Sequence, residues 1–232
     1  MADKMARPTL LMTRPQLASR RFLQRLEDDG MDVADAVISP AIDIKPVGEP
    51  VALTGVAGVI FTSVNGVGRA QAVPGLPAWC VGDQTAWAAA QAGFEARSAG
   101  GNAADLVALI LGSGGQGPLI HIRGVHSRGD VAEALRAAGI AVNSVISYDQ
   151  PAQDPTDDAA ALFQAKGRVL APLFSPRSAG VLRGWAQGAE APIEAVALSE
   201  AVAEAWGQPV TVARHPDGAA MVDAIRAALM RG

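Results

Sequence analysis

Six short turns hold the residues of this chain that could do chemistry. They are Thr13-Arg14-Pro15, Thr62-Ser63-Val64-Asn65, Gly82-Asp83-Gln84-Thr85, Arg123-Gly124, Ser175-Pro176-Arg177-Ser178 and Ser199-Glu200. Ser175 followed by Pro176 reads as a helix N-cap and first helical residue, and Ser63 can cap a helix at Asn65 in the same way. The N–H groups and positive dipole end of such helix starts suit an anion. Hydroxyl residues at helix starts are more often caps than ligands, so each turn alone carries little. Arg14 and Arg123 add a planar fork that meets carboxylate or phosphate in two parallel hydrogen bonds, which lysine does not. Tyr148 is the only tyrosine. Its phenol can donate a proton or a hydrogen bond without carrying charge at neutral pH. It equally reads as an amphipathic side chain closing a domain edge.

Other chemistries are less well served. His121, His126 and His215 have neither ligand spacing nor a partnered cysteine, and Cys80 stands alone, so no metal site is expected. His121 reads as a strand residue, His126 and His215 as surface turns, and Cys80 as a small core residue. No phosphate loop of the GxxxxGK[ST] type and no GxSxG elbow occur. The glycine-rich stretch Gly112–Gly117 follows a helix and precedes a strand, the wrong order for a dinucleotide loop, and reads as a connector. The net charge of −4 argues against general nucleic-acid affinity. Lysine occurs only at 4, 45 and 166, so arginine supplies nearly all of the 19 basic residues; coding base composition explains that bias as readily as anion binding. No apolar run approaches the ~18 residues of a membrane span, and Leu10-Leu11-Met12 before Pro15 is no signal peptide. A single cysteine fits a reducing compartment, so a cytoplasmic protein is expected.

The elements that must position these turns alternate. Half of the 232 residues are apolar, and short apolar runs alternate with alanine-rich helical patterns, the βαβα signature. Strands are expected at 9–12, 33–38, 56–61, 78–81, 119–122, 141–146, 169–173, 193–198 and 211–213. Helices are expected at 16–29, 65–73, 85–93, 103–111, 128–139, 178–189, 200–206 and 218–230. The chain also repeats itself. Residues 10–39 lie on 119–148 without a gap at a shift of 109, which carries Arg14 onto Arg123 and Leu26 onto Leu135. Residues 60–70 lie on 172–182 at a shift of 112, carrying Ser63 onto Ser175. A third unit beginning at Cys80 lies on one beginning at Val196 with one deletion. The order is A-B-C-A′-B′-C′. The longest structureless links follow A and A′ and are rich in proline, which favours domain boundaries there. The expected division is an α/β domain from 1–38 plus 153–232, a second from 48–147, and interdomain linkers at 39–47 and 148–152. Each is expected to be an open, doubly wound parallel sheet with helices on both faces, with ligands outside the carboxyl ends of the strands. The two copies of each turn are expected to line one cleft.

Taken in order, T-R-P at 13–15, F-T-S-x-N-G-V at 61–67, V-G-x-x-T-A at 81–86, R-G at 123–124, Tyr148 after a strand, and F-S-P-x-S-A at 174–179 resemble the uroporphyrinogen-III synthase family. The resemblance covers nearly the whole chain and rests on the order of the motifs. It implies two flavodoxin-like α/β domains joined by a two-stranded linker. It also implies a monomeric, cofactor-free enzyme that closes hydroxymethylbilane, a linear tetrapyrrole with eight carboxylates, inverting the terminal pyrrole through a spiro intermediate. By position, Tyr148 matches the tyrosine assisting departure of the hydroxyl, and is the expected catalytic residue. Ser63, Thr85 and Ser175 match polar residues at the cleft, and Arg14 and Arg123 would face substrate carboxylates. Asn65, Gly124, Ser178 and Ser199 complete the expected substrate-binding set.

One stretch departs from the family pattern G-P-T-T-A: here it reads Ser199-Glu200-Ala201-Val202-Ala203. Ala201 or Val202 replaces a family threonine, and Ser199 is the hydroxyl left to substitute. That loss favours a second reading, a non-catalytic two-domain anion-binding regulator. A third, a flavodoxin-like electron carrier, lacks aromatic residues in the turns, since Trp79, Trp87, Trp185 and Trp206 all fall in strand or helix patterns.

Overall fold

The computed structural model describes residues 7–126 and 129–230. The first part of the chain runs β1 (Thr9–Met12), α1 (Gln16–Asp28), β2 (Val37–Ile38), β3 (Lys45–Pro46), β4 (Gly58–Phe61), α2 (Val64–Val67), β5 (Pro77–Cys80), α3 (Asp83–Gln91), β6 (Glu95–Ser98) and α4 (Ala103–Gly112). It continues with β7 (Leu119–Gly124), α5 (Val131–Ala137), β8 (Val142–Asp149), α6 (Asp157–Gln164), β9 (Val169–Leu173), α7 (Pro176–Trp185), β10 (Ile193–Ala197), α8 (Glu200–Trp206), β11 (Thr211–Val212) and α9 (Gly218–Met230). Contacts divide it into two units, residues up to Asp43 with those from Pro151 onward, and Ile44–Gln150.

In the first unit the strands lie in the order β11-β10-β9-β1-β2, every pair parallel. Numbered along the unit this is the flavodoxin-like order 2-1-3-4-5. Alternation in β1 builds both faces. Leu10 and Met12 pack with Phe22, Leu26, Met221 and Ile225 of α1 and α9. Leu11 points the other way, with Phe163, Leu182 and Trp206 of α6, α7 and α8.

The second unit's sheet is β3-β8-β7-β4-β5-β6, parallel throughout except that β3 runs against β8. Taken as A′-B-C, the strands β8-β7-β4-β5-β6 repeat the first unit's order, so the duplication seen in the sequence is a duplication of topology. Val59, Phe61 and Ile122 meet Val67 and Ala89 of α2 and α3 on one face. Ile60, Trp79 and Leu119 meet Leu106, Ile110 and Leu135 of α4 and α5 on the other.

Several elements differ from expectation. The strand expected at 33–38 is cut to its last two residues. Asp32 accepts the Ala34 N–H at 3.1 Å, and Ala36 N–H closes onto the Val33 carbonyl at 2.9 Å, so a turn occupies the start. The helix expected at 65–73 is a single turn, because Arg69 and Gln71 give their backbone groups to Val51 (2.7 and 2.9 Å). The helix expected at 128–139 starts at Val131 behind the Asp130 cap, whose carboxylate takes the Glu133 N–H at 3.0 Å; Arg128 lies outside the described residues. The helix expected at 178–189 starts at Pro176 and ends at Trp185. The stretches at 39–47 and 148–152 are not structureless: Ile42 bridges Ala152, and Lys45 and Pro46 pair antiparallel with Asp149 and Tyr148. β6 and α6 had no counterpart in the expected elements. β6 reads Glu-Ala-Arg-Ser and is a half-exposed edge with no apolar period. α6 carried a legible signal in Thr156, which accepts the Ala159 N–H, and the acidic pair Asp157-Asp158 in the first turn.

Candidate active site

A doubly wound sheet opens a crevice where its strand order reverses, at the carboxyl ends of the two strands on either side. In the second unit those strands are β7 and β4, paired parallel from Gly58 with Leu119 to Phe61 with Ile122. Ser63 follows β4 and caps α2, its Oγ accepting the Asn65 N–H at 3.2 Å. Gly124 ends β7 and pairs with Tyr148 on β8, at a register shift between Arg123 and Gly124. Tyr148 reaches across β7 towards β4. It can do so because Gly124 has no side chain: a Cβ there would lie 2.6 Å from Tyr148 Cε2 and 2.9 Å from Cζ.

Beside the Tyr148 hydroxyl stand the Ser63 side chain and the Gly124 backbone, both of which favour its ionised form. Tyr148 is 4% exposed. Burial pushes its pKa above the ordinary 10.0, against smaller opposing pulls from the Ser63 side chain and the Gly124 backbone, so the phenol is protonated at neutral pH. Arg69 holds the strand beside it, its Nε donating to the Ser147 carbonyl at 2.9 Å.

The rest of the second unit's expected site divides. The Arg123 guanidinium donates to the Gly124 carbonyl at 3.1 Å. Thr85 is the third residue of α3, buried at the carboxyl end of β5. On the α4–α5 side of β7, His121 is 2% exposed. Its Nε2 lies 3.3 Å from Thr62 Oγ1, and its Nδ1 meets no partner among the described residues. Burial first, then the charge of Arg123, lowers its pKa to about 4, against an opposing pull from Asp130.

In the first unit the order reverses between β1 and β9. Arg14 follows β1 and Phe174 follows β9. The guanidinium carbon stands 4.2 Å from the centroid of the Phe174 ring. Ser175 caps α7, accepting the Ser178 N–H at 3.1 Å and donating its O–H to Ser178 Oγ at 2.9 Å. Ser199 heads α8 after β10 without a side-chain cap bond. Thr85 and Val202 are each the third residue of their helices, and Val202 is buried in the core. Val202 therefore occupies in α8 the place that Thr85 holds in α3, and Ser199 keeps the turn's hydroxyl. The structure thus sets Ser63 and Gly124 beside the Tyr148 ring, with Asn65 reaching Ser63 through its backbone N–H. Arg14, Ser175, Ser178 and Ser199 stand at neighbouring strand ends of the other sheet. Phe174, Arg69 and His121 were not singled out as site residues from sequence; only Phe174 had a signal, inside the F-S-P-x-S-A motif.

Among the described residues no group of three or more His, Cys, Asp or Glu side chains could hold a metal ion, and no helix is long and apolar enough to cross a membrane. Curated proteins gave no match by sequence. Two solved structures share the fold. A uroporphyrinogen-III synthetase from Helicobacter pylori is 14% identical, with a TM-score of 0.68 over 95% of this chain and 99% of that one. A mutant uroporphyrinogen III synthase from the extremely thermophilic bacterium Thermus thermophilus is 15% identical, with a TM-score of 0.56 over 97% and 100%. The sequence pattern described as uroporphyrinogen-III synthase HemD matches residues 20–223, most of both units, and by that match the chain belongs to the uroporphyrinogen-III synthase family.

Proposed function

We propose that Tyr148 is the proton donor in the cyclisation of hydroxymethylbilane to uroporphyrinogen III, the reaction of this family. The observation that carries the proposal is the seat of Tyr148: a buried phenol, kept protonated by that burial, lies over Gly124 at the carboxyl end of β7, where the strand order reverses. As the pyrrole nitrogen pushes electrons toward the hydroxymethyl carbon, the C–O bond breaks. The Tyr148 proton moves to the departing oxygen, which leaves as water, and an azafulvenium cation, still carrying its pyrrole N–H, remains. The phenolate is held by Ser63 and Gly124 N–H and recovers a proton when the closed ring loses one on rearomatisation. Arg14 and Arg123 take substrate carboxylates, with Thr85, Ser175, Ser178 and Ser199 as further polar contacts. Holding one conformer of a flexible chain is the larger part of the task, since free substrate closes unaided to the uninverted isomer. The protein acts as a monomer in the cytoplasm, without cofactor, nucleic acid or membrane.

Tyr148→Phe tests this. A positioned general acid contributes ~10²-fold or more, so formation of the inverted isomer should slow about a hundredfold while KM moves less than about twofold. Isomers are separated after oxidation to the porphyrins. Unchanged turnover of the Phe variant would refute the acid role.

A further inference from the structure

Arg14 is a part-buried cation at the carboxyl end of a central strand. Among the described residues its guanidinium meets no carboxylate and no hydrogen-bond acceptor. What it has is an aromatic shelf. Its guanidinium carbon stands 4.2 Å from the Phe174 ring centroid. Phe22, from α1, meets that ring edge-to-face, with centroids 4.8 Å apart and planes at 76°. Phe22 is 5% exposed in the core between the sheet and helices α1 and α9. Arg14, Phe174 and Phe22 thus form one stack running from the crevice into the core.

An arginine over a ring face is attracted by the ring quadrupole. The contact is to the guanidinium carbon, and among the described residues none of its N–H groups is taken by an acceptor. The edge stays open for a bidentate carboxylate. The side chain is also ordered before any ligand arrives, which lowers the entropy lost on binding. We infer that Phe174 is a positioning residue: it holds Arg14 as a preformed clamp for one carboxylate of the substrate. The inference rests on the reading that Arg14 meets the substrate.

Steady-state kinetics on hydroxymethylbilane, with isomer analysis, test both levels. Arg14→Ala should raise KM about tenfold with kcat little changed. Phe174→Leu, which keeps an apolar side chain but removes the ring, should raise KM about fivefold, within the reach of a cation–π contact. Phe174→Tyr, which keeps the ring, should restore wild-type KM. The double variant should bind no worse than Arg14→Ala alone, because the ring acts only through the arginine. Thermal unfolding identifies folded variants, and Phe174→Met replaces the leucine variant if that one does not fold. If Arg14→Ala leaves KM unchanged, the substrate contact itself is wrong and the inference falls with it. If Arg14→Ala raises KM but Phe174→Leu does not, or the two effects add, Arg14 still binds substrate and the positioning role of Phe174 is overturned.

Discussion

Acid should weaken the second unit through one buried imidazole. His121 is 2% exposed, and burial with the Arg123 charge nearby holds its pKa to about 4, against an ordinary 6.5. The folded chain therefore keeps the ring neutral where the unfolded chain protonates it. The stability it contributes is full above pH 6.5 and is lost as the pH falls towards 4. At about 1.4 kcal/mol per pH unit, the gap between 6.5 and about 4 is about 3 kcal/mol, a large share of the 5–15 kcal/mol that typically holds a domain folded. Carboxylates add their own acid sensitivity, Asp130 among them, held low chiefly by its hydrogen bonds with Glu133. A comparison with His121→Gln separates the two, since glutamine keeps a donor and an acceptor for Thr62 but does not titrate. Urea unfolding at several pH values, followed through the fluorescence of Trp79, the buried tryptophan of that unit, gives the slopes. Wild type should lose about 3 kcal/mol more than the variant between pH 7 and 4. Parallel slopes for the two proteins would show that the imidazole is not held neutral, and the reasoning from its burial would fail.

Two other expectations follow from particular atoms. Gly124→Ala places a Cβ 2.6 Å from Tyr148 Cε2, so the ring must move; turnover should fall nearly as far as in Tyr148→Phe, and wild-type turnover would show that the ring is not seated against that glycine during catalysis. Burial pushes the Cys80 thiol up to about 12 and leaves it 0% exposed, so a thiol reagent should label the native protein only at the rate of unfolding, and rapid labelling at pH 8 would refute its burial.

Much of the architecture was legible because it depends on period and punctuation. Thr9–Met12 and Val169–Leu173 are continuous apolar runs, and only a strand covered on both faces reads that way. The repeat exposed the grouping of the units, and the strand order then shows that A and A′ each supply a central strand and its outer neighbour. What stayed hidden was set by long-range contacts. Nothing local says that residues 69–71 leave a helix to pair with Val51, or that Glu-Ala-Arg-Ser completes a sheet edge. At the site, the caps at Ser63 and Ser175 were legible because capping is local chemistry. The seating of the Tyr148 ring against Gly124 joins residues far apart in the chain and depends on the absence of a Cβ at Gly124. The stack of Arg14 on Phe174 joins β1 to β9, a pairing that only the fold creates.

The duplication makes a sharper point about how the two crevices differ. Equivalent places hold Arg14 and Arg123, and Ser63 and Ser175, so both copies keep an arginine and a capped helix start at the point where strand order reverses. The other places have parted. Ser39 stands where Tyr148 does and is spent on structure, fully buried and accepting the Thr156 N–H at 3.0 Å. Pro15 stands where Gly124 gives the phenol its room. Thr62 stands where Phe174 does, so Arg123 has no aromatic shelf at that position, and Thr62 instead faces His121, at the place of Met12. In the second unit the phenol lies over a glycine; in the first an arginine lies over a ring. On the proposed reading, the second unit moves the proton while the first holds the charge of the substrate. Damage to the Phe174 stack should therefore appear in KM, and damage at Gly124 in kcat.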